Sequence, residues 1–230
     1  MVGEFVQAQG LKDKKVLEVG AGSGLLQDIV TDYTALDIST TARRFFHKPY
    51  FEASATDMPF PDNSFDALWS IWVLEHIPNP EKALLEMRRV IKPGGYILLF
   101  PAYDVDRYAA QGYRVRTYSD FDVWGRIQKA TIPIADSDVF YNLQARQVRL
   151  LRAIGARLTG GPSRLRFTKL DANYDEYWVP DSDACVSVSY HEVSRWFRSR
   201  GDECLNCPTE WELIRANTSY RGNMIIRIVK

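Results

Sequence analysis

The 230-residue sequence contains no long apolar run and no excess of either charge. No run approaches the roughly 20 apolar residues that a membrane-spanning helix needs, so a transmembrane segment is not expected. Acidic and basic residues balance at 29 each. No overall positive field therefore favours nucleic acid, and we do not expect a nucleic-acid partner. Behind Met1 there is no basic stretch followed by an apolar run, so no secretory signal is expected and we interpret the protein as cytoplasmic.

Cysteine is also scarce, with Cys185, Cys204 and Cys207 as the three examples. Three cysteines do not make a disulfide framework. Cys204 and Cys207 have the spacing of metal ligands or of a redox pair, but no second pair of Cys or His accompanies them. We interpret them as two inert thiols in a strand.

Strands and helices alternate through the first hundred residues. The apolar run that ends at Val19 breaks into a glycine-rich turn, and an apolar-patterned helix is predicted around residues 25–30. Asn79 and Pro80 open a further helix as cap and first residue. Strands are predicted at residues 15–19, 34–37, 65–70 and 96–100. This alternation predicts a parallel sheet with helices on both faces.

The alternation stops over residues 101–184 and then resumes. Ser189 and Glu192 have the spacing of a capping box, which opens a helix that Gly201 ends. Two final strands are predicted at residues 203–207 and 223–229. The sequence therefore predicts a seven-stranded α/β fold in three parts. These are a ligand-binding half (1–100), an inserted lid or substrate-recognition segment after the fifth strand (101–184), and a C-terminal helix and strands that complete the sheet (185–230).

The glycine-rich turn over residues 18–24 brings backbone amides close to a bound ligand. Its last glycine comes one position earlier than in the GxGxxG turn of dinucleotide enzymes, although an NAD-linked dehydrogenase remains an alternative. Asp37 lies 17 residues past Gly20, at the end of the second strand, where a carboxylate can accept both ribose hydroxyls. Asp57 follows the third strand and can accept from an adenine amino group, with Met58 beside the ring.

These motifs, in this order, are similar to class I S-adenosylmethionine-dependent methyltransferases of the type 11 subgroup. The similarity covers roughly residues 15–100 and is carried by residues 16–24, Asp37, 55–66, 73–76 and 84–95. It implies a Rossmann-like sheet with six parallel strands and an antiparallel seventh, and S-adenosylmethionine as the cofactor. The cofactor contacts that it implies are Gly20, Ala21, Gly22, Asp37, Ile38, Asp57, Met58, Ser70 and Ile71.

Methyl transfer is an in-line displacement that depends on positioning, and a hydroxyl acceptor also benefits from a general base. His76 follows the fourth strand, and His191 lies in the first turn of the late helix. We name both as catalytic candidates, with a structural role as the alternative. Asp181 and Asp183, near Glu176, could bind a divalent cation, but we interpret them as a polar turn and predict no metal.

Residues 141–169 contain six Arg, one Lys and no acid. Drawn as a helix, one side carries apolar residues and the other carries arginines. The apolar side holds Leu143, Leu150, Leu151, Ile154 and Leu158, and the basic side holds Arg146, Arg149, Arg152 and Arg157. One interpretation is a lid helix packed by its leucines with its arginines in water. The other is an anionic partner, either a phosphate-bearing substrate or an acidic membrane surface with a lipid-linked one.

The acceptor is less defined than the methyl donor. Residues 178–184 and the helix after them are similar to methyltransferases of bacterial surface-polysaccharide assembly. This similarity makes O-methylation of a sugar or glycan-related acceptor the leading hypothesis. Methylation of a small molecule, lipid or quinone is the alternative. A non-catalytic S-adenosylmethionine-binding protein is the alternative from another class.

Overall fold

A computed structural model describes residues 1–135, 146–155, 160–173, 181–216 and 220–230. The strands are β1 (Lys15–Val19), β2 (Asp32–Asp37), β3 (Tyr50–Glu52), β4 (Phe65–Ile71), β5 (Ile91–Phe100), β6 (Phe167–Lys169), β7 (Val186–Val188), β8 (Glu203–Cys204) and β9 (Met224–Arg227). The helices are α1 (Val2–Ala8), α2 (Pro80–Val90), α3 (Val123–Ala135), α4 (described over 146–155), α5 (Tyr190–Arg198) and α6 (Glu210–Arg215). Within the described ranges, every helix is too short or too polar to span a bilayer.

Seven strands form the main sheet, in the order β3-β2-β1-β4-β5-β9-β8, and β6 pairs with β7 in a separate two-stranded sheet. Strands β1 to β5 are parallel, and β9 is antiparallel to both β5 and β8. The predicted mostly parallel, seven-stranded sheet with one antiparallel strand is confirmed. The strand order reverses between β1 and β4, which is where open α/β sheets bind ligands at their carboxyl edge.

Alternate residues of the central strands face two different cores. Leu17 and Leu68 belong to the core that α2 and α5 cover, whereas Val16 and Trp69 belong to the core that α1 covers. Both faces of the sheet therefore carry helices, as predicted. The opening of α2 is also as predicted, because the Asn79 side chain accepts from the amide of the third helical residue.

The predicted helix around residues 25–30 is wrong, because these residues form successive turns. The backbone bonds here are those of turns, since the Ile29 amide donates to the carbonyl of Leu26, three residues earlier, at 3.1 Å. The Gln27 amide donates to the Gly24 and Phe45 carbonyls at 3.0 and 3.1 Å, and Lys12 donates to the Ile29 carbonyl at 3.0 Å. Six residues are also too few to form a stable helix without packing support.

Helix α4 packs by its arginines and not by its leucines. Arg149 is buried and donates to the Leu213 carbonyl at 3.0 Å, and Arg146 donates to the Arg215 carbonyl at 2.7 Å. These carbonyls lie in the last turn of α6, where helical carbonyls lack intrahelical partners. Leu151 is 68% exposed on the opposite side. The interpretation with leucines packed and arginines in water is therefore wrong for the described residues, while Leu143, Arg157 and Leu158 lie outside them.

Cys204 and Cys207 are joined in a disulfide, so their interpretation as two inert thiols is wrong. A separation of 5.5 Å between their Cα atoms lies in the range that a disulfide requires. Cys185 is a free thiol. The division of the chain at residues 100 and 184 stays a prediction.

Candidate active site

The glycine-rich turn after β1 is fixed against the end of β2. The amides of Gly20 and Ala21 both donate to the Leu36 carbonyl, at 2.8 and 3.3 Å. Gly20 has a φ of +74°, and a Cβ on it would lie 2.2 Å from Cγ2 of Val73. Only glycine therefore allows the turn to lie this close to the segment after β4.

Asp37 connects this turn to the end of β2. Its Oδ2 accepts from the Gly22 amide at 2.8 Å, and its Oδ1 accepts from the Ser39 amide at 2.9 Å. Gly22 has a φ of +52°, and a Cβ there would meet no atom within 4 Å, so the turn borders open space. Each carboxylate oxygen has a second lone pair that a ligand hydroxyl can use. This geometry fits the ribose contact predicted for Asp37 and the close backbone approach predicted at Gly20, Ala21 and Gly22.

Two other predicted cofactor contacts are accessible to a ligand. Ile38 is 76% exposed directly after Asp37, and Asp57 is exposed on the loop after β3. Ile71 is partly buried at the end of β4. Because β2, β1 and β4 are parallel neighbours, Ile38 and Ile71 lie at the same edge of the sheet as the glycine turn. Asp57 follows the outermost strand of this edge.

Met58 and Ser70 are buried, and their predicted cofactor contacts are harder to make. The Met58 amide donates to Oε2 of Glu86 at 2.9 Å, and the Met58 carbonyl accepts from Arg89 at 3.1 Å. Helix α2 therefore holds the backbone that adenine would contact. The Ser70 hydroxyl is buried in β4 without a hydrogen-bond partner among the described residues. Both contacts stay predictions.

His76 lies in a short 3₁₀ turn (Leu74–His76) after β4 and is 36% exposed through its side chain. Its Nδ1 is 3.8 Å from a carboxylate oxygen of Asp183 and 3.4 Å from the carbonyl of the same residue. Its Nε2 is 4.0 Å from Oε1 of Glu75. His76 therefore lies between the acidic side chains of Glu75 and Asp183, at the edge where the glycine turn lies.

Glu75 is a buried acid beside this histidine that the sequence analysis did not select. Its side chain is fully buried, and burial raises the pKa of its carboxyl. The amides of Ala102 and of Glu75 itself lie near the carboxylate, but no hydrogen bond of good geometry reaches either oxygen in the described part of the chain. The sequence did contain a signal for Glu75. It is an acid that follows an apolar strand, and it lies within residues 73–76, which carry part of the resemblance to the methyltransferase family.

Trp72 is a second residue that the sequence analysis missed. It follows β4, has a φ of +54° and is 65% exposed. Its amide donates to the Phe100 carbonyl at 2.8 Å, and the two rings are 6.1 Å apart. A non-glycine residue in the left-handed region is strained, and such strain is concentrated at functional sites. The strain was not readable from the sequence, because it depends on the pairing of β4 with β5.

His191, the second catalytic candidate, is buried in the first turn of α5. Burial, with the positive charges of Arg195 and Arg149 nearby, lowers the pKa of His191 to about 3. It lines a cavity of about 10 Å³, which is space for one water molecule. A histidine that stays neutral at physiological pH is a weak proton acceptor, so this environment favours a hydrogen-bonding role. Its catalytic role stays a prediction.

Glu18 is a buried acid in β1, two residues before the glycine turn begins at Gly20. Its Oε2 accepts from the Tyr33 hydroxyl at 2.5 Å. Burial raises the pKa of Glu18 to about 7, against the lowering effect of the hydrogen bond from Tyr33. The negative charge of Asp37 adds to this rise, so the two carboxyl groups lie near each other.

Comparisons with known proteins match this part of the chain to methyltransferases. Residues 17–99 match the family described as "Methyltransferase domain". The chain is 39% identical over 95 residues to the demethylmenaquinone methyltransferase of Renibacterium salmoninarum, covering 37% of this chain and 40% of the relative. It is 28% identical over 188 residues to the fatty-acid O-methyltransferase of Mycolicibacterium smegmatis, covering 73% of this chain and 66% of the relative. The chain thus spans less than two thirds of either relative.

One solved structure with a partial match is the S-adenosylmethionine-bound amino pentose methyltransferase CalS10 from Micromonospora echinaspora. It is 16% identical, with a TM-score of 0.41, over 45% of this chain and 49% of its own. This overlap is too small to bear on the acceptor.

Proposed function

Because residues 17–99 form a class I methyltransferase domain, whose methyl donor is S-adenosylmethionine, we propose that the protein methylates a small amphiphilic acceptor. This acceptor carries a polar nucleophile on an apolar body, as a quinol or a fatty acid does. The names of the two relatives, a demethylmenaquinone and a fatty-acid O-methyltransferase, support this class. O-methylation of a sugar, the leading hypothesis from the sequence, stays a prediction.

The observation that carries the proposal is the pairing of Asp37 with the Gly22 amide beside open space. Because backbone amides hold the Asp37 carboxylate, its oxygens are oriented before a ligand arrives, and binding requires little further ordering of this side chain. Asp37 would hold the ribose hydroxyls, and the amides of the turn would face the amino-acid part of the donor. When bound, S-adenosylmethionine supplies a methyl group on a positively charged sulfur.

The part of the site that we assign to the methyl acceptor has an apolar outer surface. Trp72 and Phe100 form an aromatic surface at the ends of β4 and β5. An exposed tryptophan ring binds an apolar body favourably because contact removes both surfaces from water. In this proposal the polar end of the acceptor points inward from Trp72 to His76.

The proposed role of His76 depends on the acceptor. A hydroxyl must lose its proton as the acceptor oxygen forms a bond to the methyl carbon, while the bond from that carbon to the donor sulfur breaks and S-adenosylhomocysteine leaves. His76 would accept that proton. The Asp183 carboxylate near Nδ1 would stabilise the resulting imidazolium. A fatty-acid carboxylate has no proton to lose at neutral pH, so its methylation needs orientation and no base.

The proposal is tested by incubating the protein with S-adenosylmethionine and three acceptors in turn: a 1,4-naphthoquinol, palmitate and a nucleotide sugar. The readout is S-adenosylhomocysteine formed above a no-acceptor control. Turnover with the quinol or with palmitate would support the proposal, and turnover with the sugar alone would replace it by the sugar hypothesis. Binding of the donor with no acceptor-dependent product would favour the non-catalytic alternative.

The variant His76→Gln separates the two proposed acceptor types. It should reduce turnover of the quinol by about a hundredfold, the usual contribution of a general base, with little change in donor affinity. Turnover of palmitate should change much less. Equal quinol turnover in the variant and the wild type would contradict the proposed role of His76.

A further inference from the structure

Helix α4 presents an apolar face that the protein does not cover. The basic side of α4 is turned inward, where Arg149 bonds to α6 and Arg152 pairs with Glu192 of α5 at 2.6 Å. The other side is apolar and exposed, and it consists of Val148, Leu150, Leu151 and Ile154. A soluble helix normally shows the opposite arrangement, with its apolar stripe toward the core.

Helix α3 repeats this arrangement in a separate part of the insertion. Trp124 is 77% exposed, and the exposed residues of its stripe are Val123, Trp124, Ile127 and Ile134. They recur at helical spacing and so share one side of the helix. Polar contacts again lie elsewhere, because Arg126 donates to the Tyr118 and Phe121 carbonyls at 2.9 Å and Lys129 donates to the Arg116 carbonyl at 2.8 Å.

The charge of these helices indicates what covers the apolar faces. Residues 123–135 and 146–155 contain four Arg, one Lys and no Asp or Glu. Two of these residues are not available to a partner, because Arg149 is buried and Arg152 is paired with Glu192. On α3, the bonds of Arg126 and Lys129 go to carbonyl oxygens, which carry no net charge, so these bonds do not neutralise the two positive charges. A second copy of this chain would bring the same positive charges into opposition. An anionic bilayer provides both an apolar phase and negative headgroups.

We propose that α3 and α4 bind the surface of an anionic lipid bilayer, with their exposed apolar side chains inserted at the boundary between headgroups and acyl chains. Tryptophan favours this boundary, which suits the exposure of Trp124. Arg126 and Lys129 attract the protein to the anionic surface, and the exposed apolar side chains of both helices retain it there. This inference goes beyond the proposed function, because it depends on two helix faces and not on methyl transfer.

The test is sedimentation of the full chain with vesicles, without S-adenosylmethionine. One set of vesicles is phosphatidylcholine alone, and the other contains about one third phosphatidylglycerol. The wild type should bind the anionic vesicles and bind the neutral ones about tenfold more weakly. No binding to either set, or equal binding to both, would overturn the proposal.

Three double variants locate the binding surface. Trp124→Ser with Ile127→Ser removes part of the α3 face, and Leu151→Ser with Ile154→Ser removes part of the α4 face. Each should lower the partition onto anionic vesicles about tenfold, because the lost side chains no longer leave water. Leu205→Ser with Val229→Ser changes two exposed apolar residues elsewhere and should bind as the wild type does.

Circular dichroism and thermal unfolding of each variant establish that it is folded. Equal partition of the α3 variant, the α4 variant and the control would overturn the proposal.

Sedimentation velocity without lipid tests whether a second copy of the chain covers the two helix faces instead. A dimer in the wild type that both helix variants abolish would assign the faces to a second copy and also overturn it. A protein that binds lipid but forms no product would refute the proposed function and leave this inference intact.

Discussion

The carboxyl edge of the main sheet and the helices of the insertion use charged groups in opposite ways. At the sheet edge, the Asp37 carboxylate accepts hydrogen bonds from backbone amides and stays accessible, while apolar side chains fill the core beneath it. In α4, the Arg149 guanidinium donates to a backbone carbonyl inside the protein, and Leu151 faces outward. The first region is organised to hold a polar ligand, whereas the second leaves an apolar surface for an outside partner.

Replacing Gly20 should give the largest effect, because the sheet edge tolerates no side chain there. Gly20→Ala forces an alanine to a φ of +74° and puts its Cβ 2.2 Å from Val73. We expect a loss of about 3 to 5 kcal/mol in the free energy of unfolding, from backbone strain and overpacking together. Urea unfolding measures it.

Gly22→Ala is the matched control for Gly20→Ala, since it has a positive φ but open space. It should lose only about 1 to 2 kcal/mol. Equal losses in the two variants would show that contact with Val73 does not restrict the turn. The double variant Gly20→Ala, Val73→Ala should recover part of the loss.

Glu18 should make the stability of the sheet region depend on pH. Its folded pKa of about 7 lies above the unfolded value of 4.5, so the folded state binds more protons between these values. The free energy of unfolding should therefore fall as pH rises from about 4.5 to 7, by about 3 kcal/mol from this group. Glu18→Gln should remove most of this slope in urea unfolding at pH 5 and pH 8. An unchanged slope would contradict a buried carboxyl with a raised pKa.

Arg149 tests whether the basic side of α4 packs inward, as described for the insertion. Arg149→Met keeps much of the buried volume but leaves the Leu213 carbonyl without its donor, so we expect a loss of about 2 kcal/mol. Arg146→Met, at a more exposed position with a similar carbonyl bond, is the matched variant and should lose less. If Arg146→Met is the more damaging change, the packing of α4 differs from that described.

Leu151→Ala should give the smallest effect, less than about 0.5 kcal/mol, because the side chain is mostly exposed. A leucine packed in a core would lose about 2 to 5 kcal/mol on the same change. Thermal or urea unfolding therefore separates the two orientations of α4. A loss in the larger range would restore the interpretation with leucines inward.

The strands around the glycine turn could be predicted because their signals are local. Apolar alternation, a glycine turn and the Asn79–Pro80 cap each need only neighbouring residues, and β1 has the predicted bounds. The ordered acids Asp37 and Asp57 then suggested the ligand. The predicted helix at residues 25–30 is wrong because the backbone there forms turns, whose contacts include a bond from the distant Lys12 to the Ile29 carbonyl that neighbouring residues do not reveal.

The orientation of α4 could not be read from its periodicity. The pattern separates an apolar side from a basic side, but it does not say which side packs. That choice depends on the unsatisfied carbonyls at the end of α6, some 60 residues later in the chain. The strain at Trp72 and the burial of Glu75 also depend on tertiary contacts and were missed for that reason.

The central claim is that the carboxyl edge of the sheet grips an adenosyl ligand through Asp37. Isothermal titration calorimetry with S-adenosylhomocysteine tests it most directly, on the wild type and on Asp37→Ala, with circular dichroism to establish that both are folded. We predict one ligand bound per wild-type chain and an affinity at least about tenfold lower in the variant, or about 1.4 kcal/mol. Equal affinity in two folded proteins, or no binding by the wild type, would contradict the claim.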